Sequence, residues 1–328
     1  MIQMTDHDPD PMDLWYAAKH GNVEHVKDLL YQYQPLMQCH TFREYINHGH
    51  YEDGTTPLIV AIKYDRKKRR YFDHFDRHLA VVKLLLDHGA DVSVKSESNE
   101  TALYWSLWNS ENTEYMDLLL EGRGIDINHK VDGRTALMDV VSDHCSRTRA
   151  AWEDQISTLL CRDGVDTNTL DEKGYSLLHQ VPYPDGWLLQ KLRPFDIDIN
   201  RICNGSTPLL YAIERGRQSL VFADKRERQC FDWRQRSLGK LAGAVKTLLD
   251  NGADIWIKDG AGRTAIEAAE SFIPNHHHAM HLLQDQHFRD LVMAFATGTH
   301  GEKNPPNCLL GNLSPEHVRG ILNQVVSE

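Results

Sequence analysis

Nineteen of the 328 residues are His, so metal chemistry is the first to test. His276-His277-His278-Ala-Met-His281 sets His277 and His281 at i and i+4, where one helix face offers two imidazoles. No Glu completes an HExxH motif and no Cys/His pair stands nearby, so the run reads as the exposed start of a helix. His48 and His50 lie in a turn-rich strip and nominate nothing. Cys39, Cys145, Cys161, Cys203, Cys230 and Cys308 contain no CxxC pair, the pattern of free thiols in a reducing compartment. No G-x-G-x-x-G, P-loop or G-x-S-x-G occurs. The chain therefore reads as a non-enzyme without metal or cofactor, and its chemistry as that of binding.

Charge is the next resource. The chain has 36 Lys+Arg against 47 Asp+Glu, a formal net charge of −11. The acidity is uneven. Tyr64–His78 and Arg215–Lys240 hold 14 of the 36 basic residues in 41 positions and carry +8, which leaves −19 on the rest. The first segment contains Arg66, Lys67, Lys68, Arg69 and Arg70, flanked by Tyr71, Phe72 and Phe75. The second contains Arg226 and Arg228, beside Phe231 and Trp233. Solvated loops, a nuclear import signal at 67–70, and a docking edge for an acidic protein, phosphate or nucleic acid are all open readings. The overall acidity disfavours a general nucleic-acid partner.

What must position these residues is legible from a repeated phrase. Gly54-Thr-Thr-Pro-Leu58, Gly133-Arg-Thr-Ala-Leu137, Gly174-Tyr-Ser-Leu-Leu178, Gly205-Ser-Thr-Pro-Leu209 and Gly262-Arg-Thr-Ala-Ile266 recur. Asn99-Glu-Thr-Ala-Leu103 carries Asn in the Gly slot. Gly or Asn suits a left-handed turn, the Thr or Ser hydroxyl caps a helix, and Pro57 or Pro208 fits the first helical position. A second phrase, Leu84-Leu-Leu-Asp-His-Gly-Ala-Asp-Val92 and Leu248-Leu-Asp-Asn-Gly-Ala-Asp-Ile255, closes a second helix with Gly89 and Gly252 as stops. Gly164 is placed likewise. Each unit reads turn, helix, loop, helix, turn.

These phrases resemble the ankyrin repeat, a β-turn and two helices in about 33 residues. The resemblance covers 12–298 as about seven units, beginning with a capping unit at Asp13-Leu-Trp-Tyr-Ala-Ala-Lys-His-Gly21. It implies an all-α solenoid with β-turn tips, preceded by a polar extension at 1–11 and followed by a tail at 299–328. The capping Thr/Ser positions are spaced by 45, 34, 41, 31 and 57 residues. The excess falls between the two helices of a unit, at Tyr64–His78, Ser142–Glu153 and Arg215–Lys240, with a further stretch at Tyr31–Glu44. Ankyrin-like proteins bind protein partners along the concave face and the turn tips. The matching slots here hold Lys63, Tyr64, Glu100, Trp108, Arg134, Asp143, Tyr175, Tyr183, Glu214, Trp256 and Arg263. Trp108, Tyr175 and Tyr183 are the aromatic types enriched at interface hot spots, and packing on the next unit is the competing reading. Trp256 is either an exposed anchor or a lid over the last unit. Trp15, Trp105 and Trp187 are expected in the inter-helix core.

The tail differs in character. Ser314 as N-cap, Pro315 at the first position and Glu316 in the first turn predict a helix over 315–326, with Val318, Ile321, Leu322 and Val325 as its apolar stripe. Leu313-x-Pro-Glu-x-Val-x-x-Ile-Leu322 resembles the opening of an F-box, with Pro shifted by one. The layout is similar to ankyrin proteins of poxviruses and giant viruses. It implies a substrate receptor of a Skp1–cullin ubiquitin ligase, with Leu313, Pro315, Glu316, Val318, Ile321 and Leu322 holding a Skp1-type adaptor. A helix that caps the last unit, in a plain scaffold or inhibitor, is the alternative. The first twelve residues lack an apolar core, and no apolar run approaches the roughly 20 residues of a membrane span. A monomer in the cytoplasm or nucleus, without membrane contact, is the expectation.

Overall fold

The structure is a computed structural model. It describes residues 10–32, 40–68, 75–108, 113–122, 124–143, 148–181, 183–222, 231–271, 273 and 277–297. Helices dominate: α1 (Pro11–His20), α2 (Val23–Gln32), α3 (His40–Ile46), α4 (Pro57–Lys68), α5 (Phe75–Asp87), α6 (Ala102–Leu107) and α7 (Glu114–Glu121) come first. Strands β1 (Lys130–Val131) and β2 (Arg134–Thr135) follow, then α8 (Ala136–Ser142), α9 (Arg149–Leu160), α10 (Leu177–Gln180) and α11 (Gly186–Leu192). The last are α12 (Pro208–Phe222), α13 (Phe231–Asp250), α14 (Ala265–Glu270) and α15 (His278–Thr297). Apart from α3, the described helices fall into seven consecutive pairs.

The repeated phrase performs the work its chemistry predicts. Asn99 takes the left-handed conformation, φ 61°, and its side-chain amide donates to the Lys130 carbonyl at 3.0 Å. Gly205, φ 73°, approaches the backbone of Gly260, whose N–H donates to the Gly205 carbonyl at 2.7 Å. A β-carbon at 205 would lie 3.1 Å from the Gly260 Cα, so Gly is needed twice over. The hydroxyls of Thr56, Thr101, Thr135, Thr207 and Thr264 accept from the backbone N–H three residues on, between 3.2 and 3.4 Å. Thr264 and Glu267 form a full capping box. Ser176 departs from the expected role. Its hydroxyl lies 2.7 Å from His179 Nδ1 and makes no cap bond, while His179 Nε2 reaches the Ser206 carbonyl at 3.1 Å. The turn tips are minimal: β1 pairs antiparallel with β2, and single bridges join Leu170 to Ser176 and Cys203 to Ser206.

The second-helix stops also form. The Gly89 and Ala90 N–H groups return to the Leu86 and Leu85 carbonyls, and those of Gly252 and Ala253 to Leu249 and Leu248. Gly164 is placed differently, four residues beyond the end of α9.

The chain divides between Asp166 and Thr167 into two compact units. In the first, Leu14, Val26, Ile62, Val82, Leu85 and Leu119 are fully buried. Each such side chain contributes about 1.5–3 kcal/mol relative to exposure. In the second, Leu188, Leu192, Ile213, Leu241, Val245, Leu248 and Leu283 play the same part. Asparagines tie consecutive repeats together. Asn128 accepts from the Asp166 N–H at 2.8 Å and donates to the Gly164 carbonyl at 2.7 Å. In the second unit Asn200 does the same with Asp254 and Gly252, at 2.7 and 3.0 Å.

The insertions between helices differ from the expected loops. α4 runs on through Lys68, α12 runs on to Phe222, and α13 starts at Phe231. Arg and Lys are good helix formers, and a nucleated helix extends more cheaply than a new one starts. Of the basic residues, Arg66, Lys67 and Lys68 therefore continue a helix, while Arg69, Arg70, Arg226 and Arg228 lie outside the described residues. The stretch Tyr31–Glu44 contributes the start of α3, which no repeat phrase announces.

Candidate protein-binding surface

In the first unit, the ends of α1, α4 and α6 and the turn at 50–53 bring aromatic rings and charges together. Lys63 on α4 lies over the Trp105 ring, its ammonium 4.6 Å from the centroid. Asp53 and Glu100 face the same ammonium at 3.9 and 3.7 Å. The Trp105 indole N–H donates to Glu100 at 3.1 Å. Burial would push the Asp53 carboxyl up, but hydrogen bonds from Thr55 and the Lys63 charge hold it below the usual carboxylate range. Tyr104 packs edge-on to Trp105 and Trp108, with centroids at 5.6 and 6.2 Å. Burial, reinforced by the Asp139 charge, raises its phenol.

A second group lies beside it. Trp15 is buried, and its indole N–H donates to the Thr55 hydroxyl at 3.2 Å. His50 stacks between Trp15 and Tyr51, with centroid distances of 4.2 and 4.4 Å. Tyr16 meets Trp15 edge-on at 5.1 Å. Tyr16 and Tyr51 remain 45% and 72% exposed, so the column opens to solvent. The negative charge of Glu52 raises the Tyr51 phenol.

In the second unit, Tyr175, His179 and Tyr211 form a ring triangle with centroids 5.4 to 5.8 Å apart. Burial lowers the His179 imidazole. Tyr183 is half-buried, and its phenol, raised by burial, is hydrogen-bonded to Ser219. Glu214 accepts from the Arg217 guanidinium at 2.8 Å, which holds its carboxyl low. Arg263 pairs with Asp259 at 2.9 Å.

The residues named from sequence are thus placed unequally. Tyr64 and Glu100 belong to the first-unit surface, and Trp108 lies at its edge, half-buried. Arg134 folds onto α8: its guanidinium lies 2.9 Å from Asp139 and donates to the Met138 carbonyl and the Ser142 hydroxyl. Asp143 ends that helix as its C-cap. Trp256 is half-buried with its ring 4.6 Å from that of His287 on α15, the arrangement of a lid rather than a bare anchor. Of the three tryptophans assigned to the core, Trp15 is buried, while Trp105 and Trp187 are corrected: each is half-buried under a lysine. The Trp105 indole N–H is satisfied by Glu100, which lets that ring edge stay at the surface.

Tyr16, Lys19, His50, Tyr51, Tyr104 and Tyr211 were not legible as site residues. Tyr16 and Lys19 sit in the first unit, which lacks the Thr-Pro phrase that indexes the other slots. The usable signal was the place of Lys19, two residues before Gly21, where Lys63 stands in the next unit; Tyr16 aligns with Val60 and carried no such signal.

The histidine run behaves as a helix start. His277 Nδ1 lies 3.2 Å from the Ala279 N–H at the opening of α15. Among the described residues no group of three His, Cys, Asp or Glu stands close enough to hold a metal. Cys161 is exposed and Cys203 buried, both unpaired. No helix among the described residues is long and apolar enough to cross a membrane. The tail residues Leu313, Pro315, Glu316, Val318, Ile321 and Leu322 lie outside the described residues.

Paired helices, turn-tip glycines and capped first helices define an ankyrin-repeat solenoid. A family model described as "Ankyrin repeats (3 copies)" matches residues 14–131 and 73–149, so residues 14–149 resemble ankyrin repeats in sequence as well as in fold. Among solved structures, the chain is similar to the ankyrin repeat domain of Bcl-3, described as a unique member of the IkappaB protein family. That match has 22% identity, 85% of this chain and 100% of that one covered, and a TM-score of 0.56. It is also similar to the human ASB11 ankyrin repeat domain, at 16% identity, 90% and 99% coverage and a TM-score of 0.52. At these identities the likeness establishes the fold alone. No curated protein matches the sequence. Ankyrin repeats are protein-interaction scaffolds, and proteins built of them are generally non-enzymatic.

Proposed function

We propose that this chain is a protein-binding adaptor whose target is held by the turn tips and first-helix ends. The observation that carries this reading is the surface around Lys63, Tyr64, Glu100, Trp105 and Trp108. Rings and paired charges gather there at corresponding places of successive repeats, at partial exposure. Such side chains lose little conformational freedom on binding and supply the aromatic anchors that dominate interfaces. A Tyr64→Ala/Trp108→Ala variant should lose the partner retained by the intact chain. Equal retention by both, with the fold unchanged by circular dichroism, contradicts the reading.

The sharper form is a substrate receptor of a Skp1–cullin ubiquitin ligase, of the kind resembling viral ankyrin proteins that act on a host. Its support is the tail sequence alone. The array holds the target while Leu313, Pro315, Glu316, Val318, Ile321 and Leu322 hold the adaptor. Pull-down with a Skp1 homologue compares the intact chain with Leu313→Ala/Ile321→Ala/Leu322→Ala. Recovery by the intact chain only supports it. Equal recovery, or none, leaves the plain scaffold with a capping tail. A second reading, polyanion binding, is favoured by the +8 carried on the two basic segments. It predicts salt-dependent binding that is abolished by neutralising Arg66–Arg70.

A further inference from the structure

The Lys19 ammonium has an unusual setting. It lies 4.8 Å from the Trp15 ring centroid, 4.7 Å from that of Tyr64 and 5.9 Å from that of Tyr16. All three fall within the roughly 6 Å over which a cation is attracted to a π face. Among the described residues no carboxylate pairs with this ammonium, so the rings are its electrostatic partners. Lys63, in contrast, has Asp53 and Glu100 as well as its ring.

The walls and the occupant differ in rigidity. Trp15 is buried, hydrogen-bonded to Thr55 and backed by the stacked His50. His50 is itself held by its N–H to the Thr55 carbonyl at 2.9 Å and covered by Tyr51. Tyr64 is borne on α4. Lys19 is a four-carbon flexible stem on the last turn of α1, able to swing into water. A fixed aromatic wall with a removable ammonium inside is the construction of a cation receptor that is self-occupied.

We propose that Trp15, Tyr16 and Tyr64 form a cage for a lysine side chain of the partner protein, free or methylated, and that Lys19 is its intramolecular plug. This rests on the protein-binding reading and gives the partner a chemistry. Charge beside the cage agrees: Asp53 accepts from the Thr55 hydroxyl that holds the Trp15 indole, and Asp53 and Glu100 both face the neighbouring Lys63, so a basic partner side chain is the complementary one. Methylation strengthens the fit, because a quaternary ammonium sheds water easily and keeps its attraction to the rings.

The test uses N-acetyl-trimethyllysine amide as probe and the uncharged norleucine analogue as control, titrated into the full chain. The Trp15 indole N–H resonance serves as reporter. The cationic probe should shift it and the norleucine analogue should not. Lys19→Ala empties the cage and should tighten binding about two- to fivefold, since self-occupancy lowers apparent affinity by the fraction open. Tyr64→Ala should weaken it, and so should Tyr16→Ala, a half-exposed position whose loss leaves the core intact. The proposal is overturned if Lys19→Ala binds no more tightly than the native chain. It is overturned equally if the norleucine analogue binds as well, or if N-acetylglutamate amide binds and loses that binding in Lys19→Ala. If the probe fails while the partner is still captured through Trp108, the cage is overturned and the adaptor reading stands.

Discussion

Glu100 and Arg134 both stand one residue before the capping Thr of their repeats and do different things. Glu100 faces Lys63 and accepts from the Trp105 indole at the surface, while Arg134 is folded onto its own helix by Asp139, Met138 and Ser142. Slot number alone therefore does not decide availability; the nearest carboxylate and carbonyl do. The same local reading gives predictions. Gly21 has φ 65°, and a β-carbon there would lie 2.8 Å from the buried His78 ring. Gly21→Ala should destabilise the chain by about 2 kcal/mol or more, read from urea unfolding. Asn128→Ala removes two hydrogen bonds and leaves the Asp166 N–H and Gly164 carbonyl to solvent, at a cost of about 1–2 kcal/mol. His179 carries a pH dependence. Burial lowers its folded-state pKa, so below the ordinary 6.5 the unfolded chain binds the proton that the folded chain refuses. Stability should fall as pH drops from 7 through that window and then level once the folded state also protonates. A His179→Gln variant should show a shallower fall in unfolding midpoint over the same range, and an unchanged slope removes His179 as its source.

Elements follow from short phrases more faithfully than their lengths do. Thr56, Thr101, Thr135, Thr207 and Thr264 were legible as caps because a hydroxyl before a helical run has one evident use. Ser176 was not, because His179 three residues on takes the hydroxyl, and a spacing cannot rank two partners. Helix lengths at α4, α12 and α13 were misread as loops, since a gap in the repeat says only that residues are extra. Helix propensity then decides what they become. Thr264→Ala breaks a complete capping box and should cost about 1 kcal/mol in the last repeat, measured by denaturant unfolding. A change within a few tenths would place the stability of α14 in its packing instead.

At the scale of the molecule, the ankyrin-repeat solenoid was legible because the phrase recurs. The aromatic column at Trp15, His50 and Tyr51 was not, because it is assembled from one helix and a turn that share no phrase. Repeat stacks owe stability to neighbours, so the unit ending at Asp166 should fold by itself. Residues 1–166, expressed alone, should unfold cooperatively in urea with native helicity; a non-cooperative loss contradicts that. The turn tips and first-helix ends are the proposed seat of a protein partner. A photo-crosslinking residue placed at Tyr64 or Trp108, and separately at the exposed second-helix positions Lys83 and Lys246, tests it most directly in the cells that make the chain. One crosslinked partner is expected from Tyr64 and Trp108 and none from Lys83 or Lys246. Crosslinks from Lys83 or Lys246 with none at Tyr64 and Trp108 would contradict it.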